Sequence, residues 1–272
     1  MIISDTNTSS RQIFLNSKHA STTANTGSSC RFHIQDLVAP ENTQIILSVV
    51  DVILPISYYI INESNNLLFY DGGGSDEYLL TIPVGNYSAP ELADYIESMI
   101  SILSSVSYSL VNNKMRFFSD STIFMFKHNS TCFDIIGLTP NENHLSSDNG
   151  LGINVLVPNG VVNLAGINSI MVQSNIATSS ISSSSGGGTN TLCRVPITVG
   201  RNSVMCYTPQ SPLQTILNSR SIDYVDIALT DSDMSSIDWN GQHWSITLRV
   251  DFQFEKKAPQ NLSTSRFDNR MR

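Results

Sequence analysis

The 272-residue chain is long enough for one large β domain or two smaller units, each able to bury a core. A net charge of −8 and a pI near 5.0 exclude a general nucleic-acid coat, which needs a basic face to displace counterions from phosphates. Only 14% of residues are charged, and Ser, Asn and Thr fill the polar positions instead. Such a surface suits either contact with other proteins or a soluble, turn-rich β domain.

Strand patterns dominate from the start. Arg11–Asn16 reads as a short strand, followed by a Ser/Thr/Ala/Gly loop over 17–29. Cys30–Leu37 alternates, with Phe32 and Ile34 on one side of the pleat and Arg31, His33 and Gln35 on the other. Ile45–Leu54 is nearly continuous in apolar residues, as a central strand covered on both faces would be. Interrupted by Asp51 and Pro55, the run from Ile45 to Ile61 is too short and broken for a membrane span. Leu67–Tyr70 and Tyr78–Val84 are further strands, separated by the glycine run Gly72–Gly74.

One amphipathic helix is predicted. Ser88 and Glu91 stand at capping-box spacing, and Leu92, Tyr95, Ile96, Met99, Ile100 and Leu103 recur at helical intervals, giving a helix over Ala89–Leu103. Ser107–Leu110 and Lys114–Ser119 form a hairpin around Asn112-Asn113, and Ile123–Phe126 is a strand. Phe133–Leu138 is short and apolar, and Thr139–Gly150 is a polar loop. Strands resume at Val161–Leu164 and Ser169–Ser174. The low-complexity run Ser179–Gly188 reads as an exposed loop. Thr191–Thr198, carrying Pro196, reads as an edge strand. Ser203–Tyr207, Tyr224–Leu229 and His243–Phe254 complete the set. The last two flank an acidic turn ending in Asn240-Gly241, an arrangement that pairs strands.

The expected architecture is mainly β: a jelly-roll-like β-sandwich from residues 1–75 and 149–255, with an inserted α+β unit at 76–148 holding the one clear helix. Residues 256–272 form an extended basic arm. There Lys256, Lys257, Arg266, Arg270 and Arg272 are the candidate interface residues, for strapping onto a neighbouring subunit. A plain solvated terminus is the alternative.

The chemical search yields no catalytic residue, cofactor site or metal site. Cys30, Cys132, Cys193 and Cys206 are scattered, with no Cys/His set at zinc spacing. The first residues lack the basic and apolar regions of a signal peptide, so free thiols in a reducing compartment are expected. His243 lies near Asp238 without a nucleophile signature beside it. Asp231, Asp233, Asp238 and Asn240 offer hard oxygen donors for Ca²⁺ but fail the EF-hand spacing, and a polar turn accounts for them better. Neither glycine run precedes a Lys-Ser/Thr, so neither is a phosphate loop. Trp239 and Trp244 read as core or interface anchors, Trp244 falling on the apolar face of the last strand.

Several motifs recur in order along the chain: Ile13-Phe-Leu-Asn-Ser17; Ile45–Tyr59 with Leu-Pro-Ile-Ser-Tyr-Tyr, then Ile-Ile-Asn62; Leu80-Thr-Ile-Pro-Val-Gly-Asn-Tyr-Ser88, its helix and Ile-Gly-Leu138; Val161–Ile170; and the terminal Asp231–Leu248 with Asn-Gly-Gln-His-Trp-Ser. In these the chain resembles the minor capsid and penton-type proteins of virophages, polinton-like viruses and nucleocytoplasmic large DNA viruses.

The resemblance implies a non-enzymatic structural protein of an icosahedral virion, assembled in host cytoplasm or nucleus. The expected role is a minor capsid protein that links or cements major capsid capsomers through β-edges, loops and arms. A penton protein closing the fivefold vertices is the alternative. Expected partners are the major capsid protein, other minor capsid proteins and further copies of the chain itself. No specific nucleic acid is expected, and membrane contact is left open. A carbohydrate-binding β-sandwich, with Trp239, Trp244 and the Asp/Asn turn as a sugar site, is the reading from another class; it requires those aromatics to be exposed.

Overall fold

A computed structural model describes residues 9–254 except 75, 178, 179, 183–186 and 218, and within 180–189 the backbone alone is considered. The chain divides into two compact units, one containing residues up to Ile56 and from Ser169 on, the other Ser57–Asn168. The protein is mainly β, with several antiparallel sheets and one clear helix.

The first unit is built on eight strands: β1 Ser9–Asn16, β2 Ser29–Val38, β3 Thr43–Pro55, β4 Ser169–Ser174, β5 Thr191–Pro196, β6 Val204–Tyr207, β7 Ser221–Thr230 and β8 Ser245–Phe254. Four nested antiparallel pairs organise them: β1 with β8, β2 with β7, β3 with β6 and β4 with β5. Two more pairings, β8 with β3 and β4 with β7, join these into one sheet of order β1-β8-β3-β6, where Thr215–Leu217 also pairs with β3, and another of order β5-β4-β7-β2, where Thr22–Thr23 pairs with β2. A long hairpin whose successive pairs alternate between two sheets is a jelly roll.

Alternation along the strands explains why the roll closes. Ile45, Leu47, Val49, Val52 and Leu54 of β3 are buried, as are Ile246, Leu248, Val250 and Phe252 of β8. Phe32 of β2, Ile170 and Val172 of β4, and Val225, Ile227 and Leu229 of β7 are buried on the second sheet. Each sheet thus presents one apolar face, and burying both is the main stabilising term. The register of β3 against β8 shifts between Thr247 and Leu248, a bulge that keeps Val49 and Val52 both buried.

The final two strands do not form the expected local pair. β7 lies in one sheet and β8 in the other, and the acidic segment between them crosses from sheet to sheet. Its buried Ile237 and Trp239 hold the crossing in place. The run expected as an exposed loop contains a short two-stranded pair, Ser180–Ser182 with Gly187–Thr189.

The second unit is wider than the expected 76–148 insert, because Leu67–Asp71 pairs with Tyr78–Thr81 and Met125–Phe126, and Asn154–Leu156 pairs with Lys114–Ser119. Each of these ladders takes a strand from outside the expected boundaries into one of two four-stranded sheets. Helix α1, Ala89–Met99, has both reciprocal bonds of the capping box: Glu91 N donates to Ser88 Oγ at 3.3 Å and Ser88 N donates to Glu91 Oε2 at 2.8 Å. It stops four residues short of the expected Leu103, as Ile100 turns to extended geometry. Ile100 and Leu103 are nonetheless buried with Leu92 and Ile96 in a core that includes Phe117 and Phe126, in edge-to-face contact at 5.0 Å.

Phe133–Ile136 forms a single helical turn, α2, and the polar loop after it contains the short strands His144–Leu145 and Ser147–Asp148. Val161–Leu164 is a strap, not a strand, held by single bonds from Val162 N to Asn113 O and from Asn163 N to Ile135 O. The strap approaches α2 closely at Gly137, whose φ is +84° and where a Cβ would stand 2.8 Å from Gly160 O.

Candidate interaction surfaces

Ser17 and Asp238, the polar groups near His243, both bond to backbone N–H groups. Ser17 Oγ lies 3.3 Å from His243 Nδ1, but the same buried hydroxyl accepts a hydrogen bond from Trp244 N at 3.0 Å. Ser17 N in turn donates to Trp244 O, so the contact fastens the end of β1 to the start of β8. Asp238, expected as the neighbour of His243, accepts from Asn240 N through Oδ1.

Asp231 Oδ1 accepts from the backbone N–H groups of Asp233 and Ser235 at 2.9 and 2.8 Å, the geometry of an Asx turn. The Asp231 and Asp238 carboxylates, weighed as Ca²⁺ ligands, therefore serve the backbone, and among the described residues no group of three His, Cys, Asp or Glu could hold a metal ion. Trp239 and Trp244 are 0% and 1% exposed, which overturns the sugar-site reading built on them. Trp244 Nε1 donates to Gly27 O at 2.8 Å.

All four cysteines are free thiols. Burial pushes Cys132 and Cys193 up to about 12, so neither is a ready thiolate. Cys206 is exposed on β6.

What remains are surfaces. β1 is an edge strand: all eight residues are in register with β8, and no described strand pairs with its other side. At its outer end Arg11 reaches Asp36 O through a guanidinium N–H at 3.4 Å and lies over the Phe252 ring at 5.8 Å. Phe14 of this strand is 75% exposed. Ser9 stands opposite Phe252, so β1 begins and β8 ends at the same end of the sheet. The candidate interface residues Lys256, Lys257, Arg266, Arg270 and Arg272 lie outside the described residues.

In the second unit the hairpin tip exposes Leu110 (82%) and Val111 (97%). The nearby 158–159 loop is fixed by Lys114 Nζ, which donates to Pro158 O and Asn159 O at 3.1 and 2.7 Å. The composition gave no cue to this patch, because Leu-Val beside Asn-Asn reads as the end of a strand.

No family model and no curated protein matches the chain. Among solved structures it is similar to the mavirus penton protein, known from a selenomethionine-labelled crystal. The TM-score is 0.47 and the identity 13%, over 89% of this chain and 99% of that one.

Proposed function

We propose that this protein is a structural component of an icosahedral capsid. The observation that carries the reading is the nested eight-strand jelly roll, in which β1, β3 and β8 carry motif residues, an architecture recurrent in viral capsid domains. Burial of both tryptophans removes the lectin alternative as framed, which drew on the same fold class. The major capsid protein and other capsid proteins would be the partners, and the virion the site of action.

Within the shell, linking of capsomers by β-edges and arms is the finer role expected from the sequence. The penton role is the second, and one observation favours it: an open sheet edge and a basic terminal segment belong to the same chain, which suits repeated head-to-tail contact between copies. Density of purified virions decides both matters. The chain at a fivefold vertex establishes the penton role, and the chain between capsomers the linking role. Its absence from particles ends the capsid reading.

A further inference from the structure

Resting on the shell reading, we propose that the open edge of β1 is completed by residues 255–272 of a second copy, added as an extra strand. The edge offers eight residues of backbone in regular register, long enough for a specific ladder. The other edge of that sheet is broken into two short pieces on β3, β6 of four residues and Thr215–Leu217 of three. Exposed Phe14, sixth of the eight residues of the β1 edge, supplies an aromatic cross-strand partner.

Length and charge identify the occupant. Residues 255–272 contain five basic and two acidic side chains, net +3, against ten and twenty-one, net −11, in residues 1–254. One copy's terminal segment is therefore drawn to another copy's body, and least so at high salt. Eighteen residues extend to about 60 Å, ample to reach a neighbour. After Pro259, which cannot donate to a ladder, Asn261–Phe267 is a proline-free stretch close to the edge strand in length.

Topology argues against the chain's own segment. It starts where β8 ends, beside Ser9, so to reach the open edge it must hop over β1 and run parallel to it. Parallel neighbours need a long crossover connection. A segment from another copy can enter antiparallel.

The test places a benzoylphenylalanine photo-crosslinker at position 14 of the full chain, in an equal mixture of isotopically light and heavy protein. Mixed light–heavy adducts mapping to residues 255–272, abolished when the chain is stopped after Phe254 or when the five basic residues are changed to Glu, are the expected result. Purely same-copy adducts, adducts to any other segment, or no adduct overturn the proposal. Particle incorporation is read separately: its loss with adducts intact faults the capsid reading, and its retention without adducts faults the strand addition.

Discussion

Trp244 meets Phe32 edge-on, with ring centroids 6.0 Å apart and planes at 73°. Phe32 belongs to β2 in one sheet, whereas Trp244 immediately precedes β8 in the other, so this contact is one of the rivets of the roll. Trp244→Ala should cost about 3–5 kcal/mol by opening a cavity there. Trp244→Phe should cost about 1–3 kcal/mol, because the carbonyl of Gly27 loses its indole donor. Urea unfolding of both variants measures this; a Trp244→Phe variant as stable as the parent would mean that the hydrogen bond contributes nothing, and equal losses that the ring's packing adds nothing to it.

Asp71 and Lys127 form an ion pair in the second unit, with the Asp71 side chain only 7% exposed. Burial alone would raise the carboxyl, but hydrogen bonds from Lys127 and from Gly73 N–H outweigh it and hold Asp71 below its ordinary 3.8. The pair therefore stabilises the fold above about pH 4, and that contribution fades as pH falls through the lower, folded-state value. In Lys127→Met the burial dominates, so the stability contribution of Asp71 should instead be lost as pH rises above 4. Urea midpoints between pH 3 and 6 should rise with pH less steeply in the variant; parallel curves would refute the assignment.

Gly137 combines a left-handed φ with backbone contact to the 160–161 strap. Gly137→Ala should lower stability by about 1–3 kcal/mol, since an L residue is strained there and the Cβ meets a carbonyl oxygen that cannot give way cheaply. Gly150→Ala, with a similar φ of +82° but open space around it, should cost less. Thermal melts of the two variants separate clash from strain.

The thiols should divide by accessibility. Cys206 should be labelled first by a small disulfide reagent, and Cys132, 0% exposed, should react only on unfolding. Rapid labelling of Cys132 in the folded protein would contradict its place in the core beside Phe133.

The alternating strands were legible because burial of one sheet face imposes a period of two. The Trp244-to-Phe252 stripe and the hidden Phe32 follow from it directly. The capping box at Ser88 was equally plain, being a purely local signal. Partner choice was not: Asn240-Gly241 looks like a hairpin, yet β7 and β8 separate because long-range pairs with β2 and β3 settle the matter. The boundary at Ser57 was hidden for a similar reason, since Leu67–Asp71 has the same local pattern whichever unit claims it. Of the surfaces, the charge of the terminal segment could be counted in advance, whereas the open flank of β1 depends on which strand ends a ladder.

The place of residues 57–168 in the jelly roll has a further consequence. They enter between β3 and β4, and none of the four nested pairs draws on them for a strand. Selection can thus rewrite that cassette, altering what the molecule displays, while the scaffold's zipper stays under its own separate constraint. Diverging descendants should drift fastest there and slowest along the eight rungs.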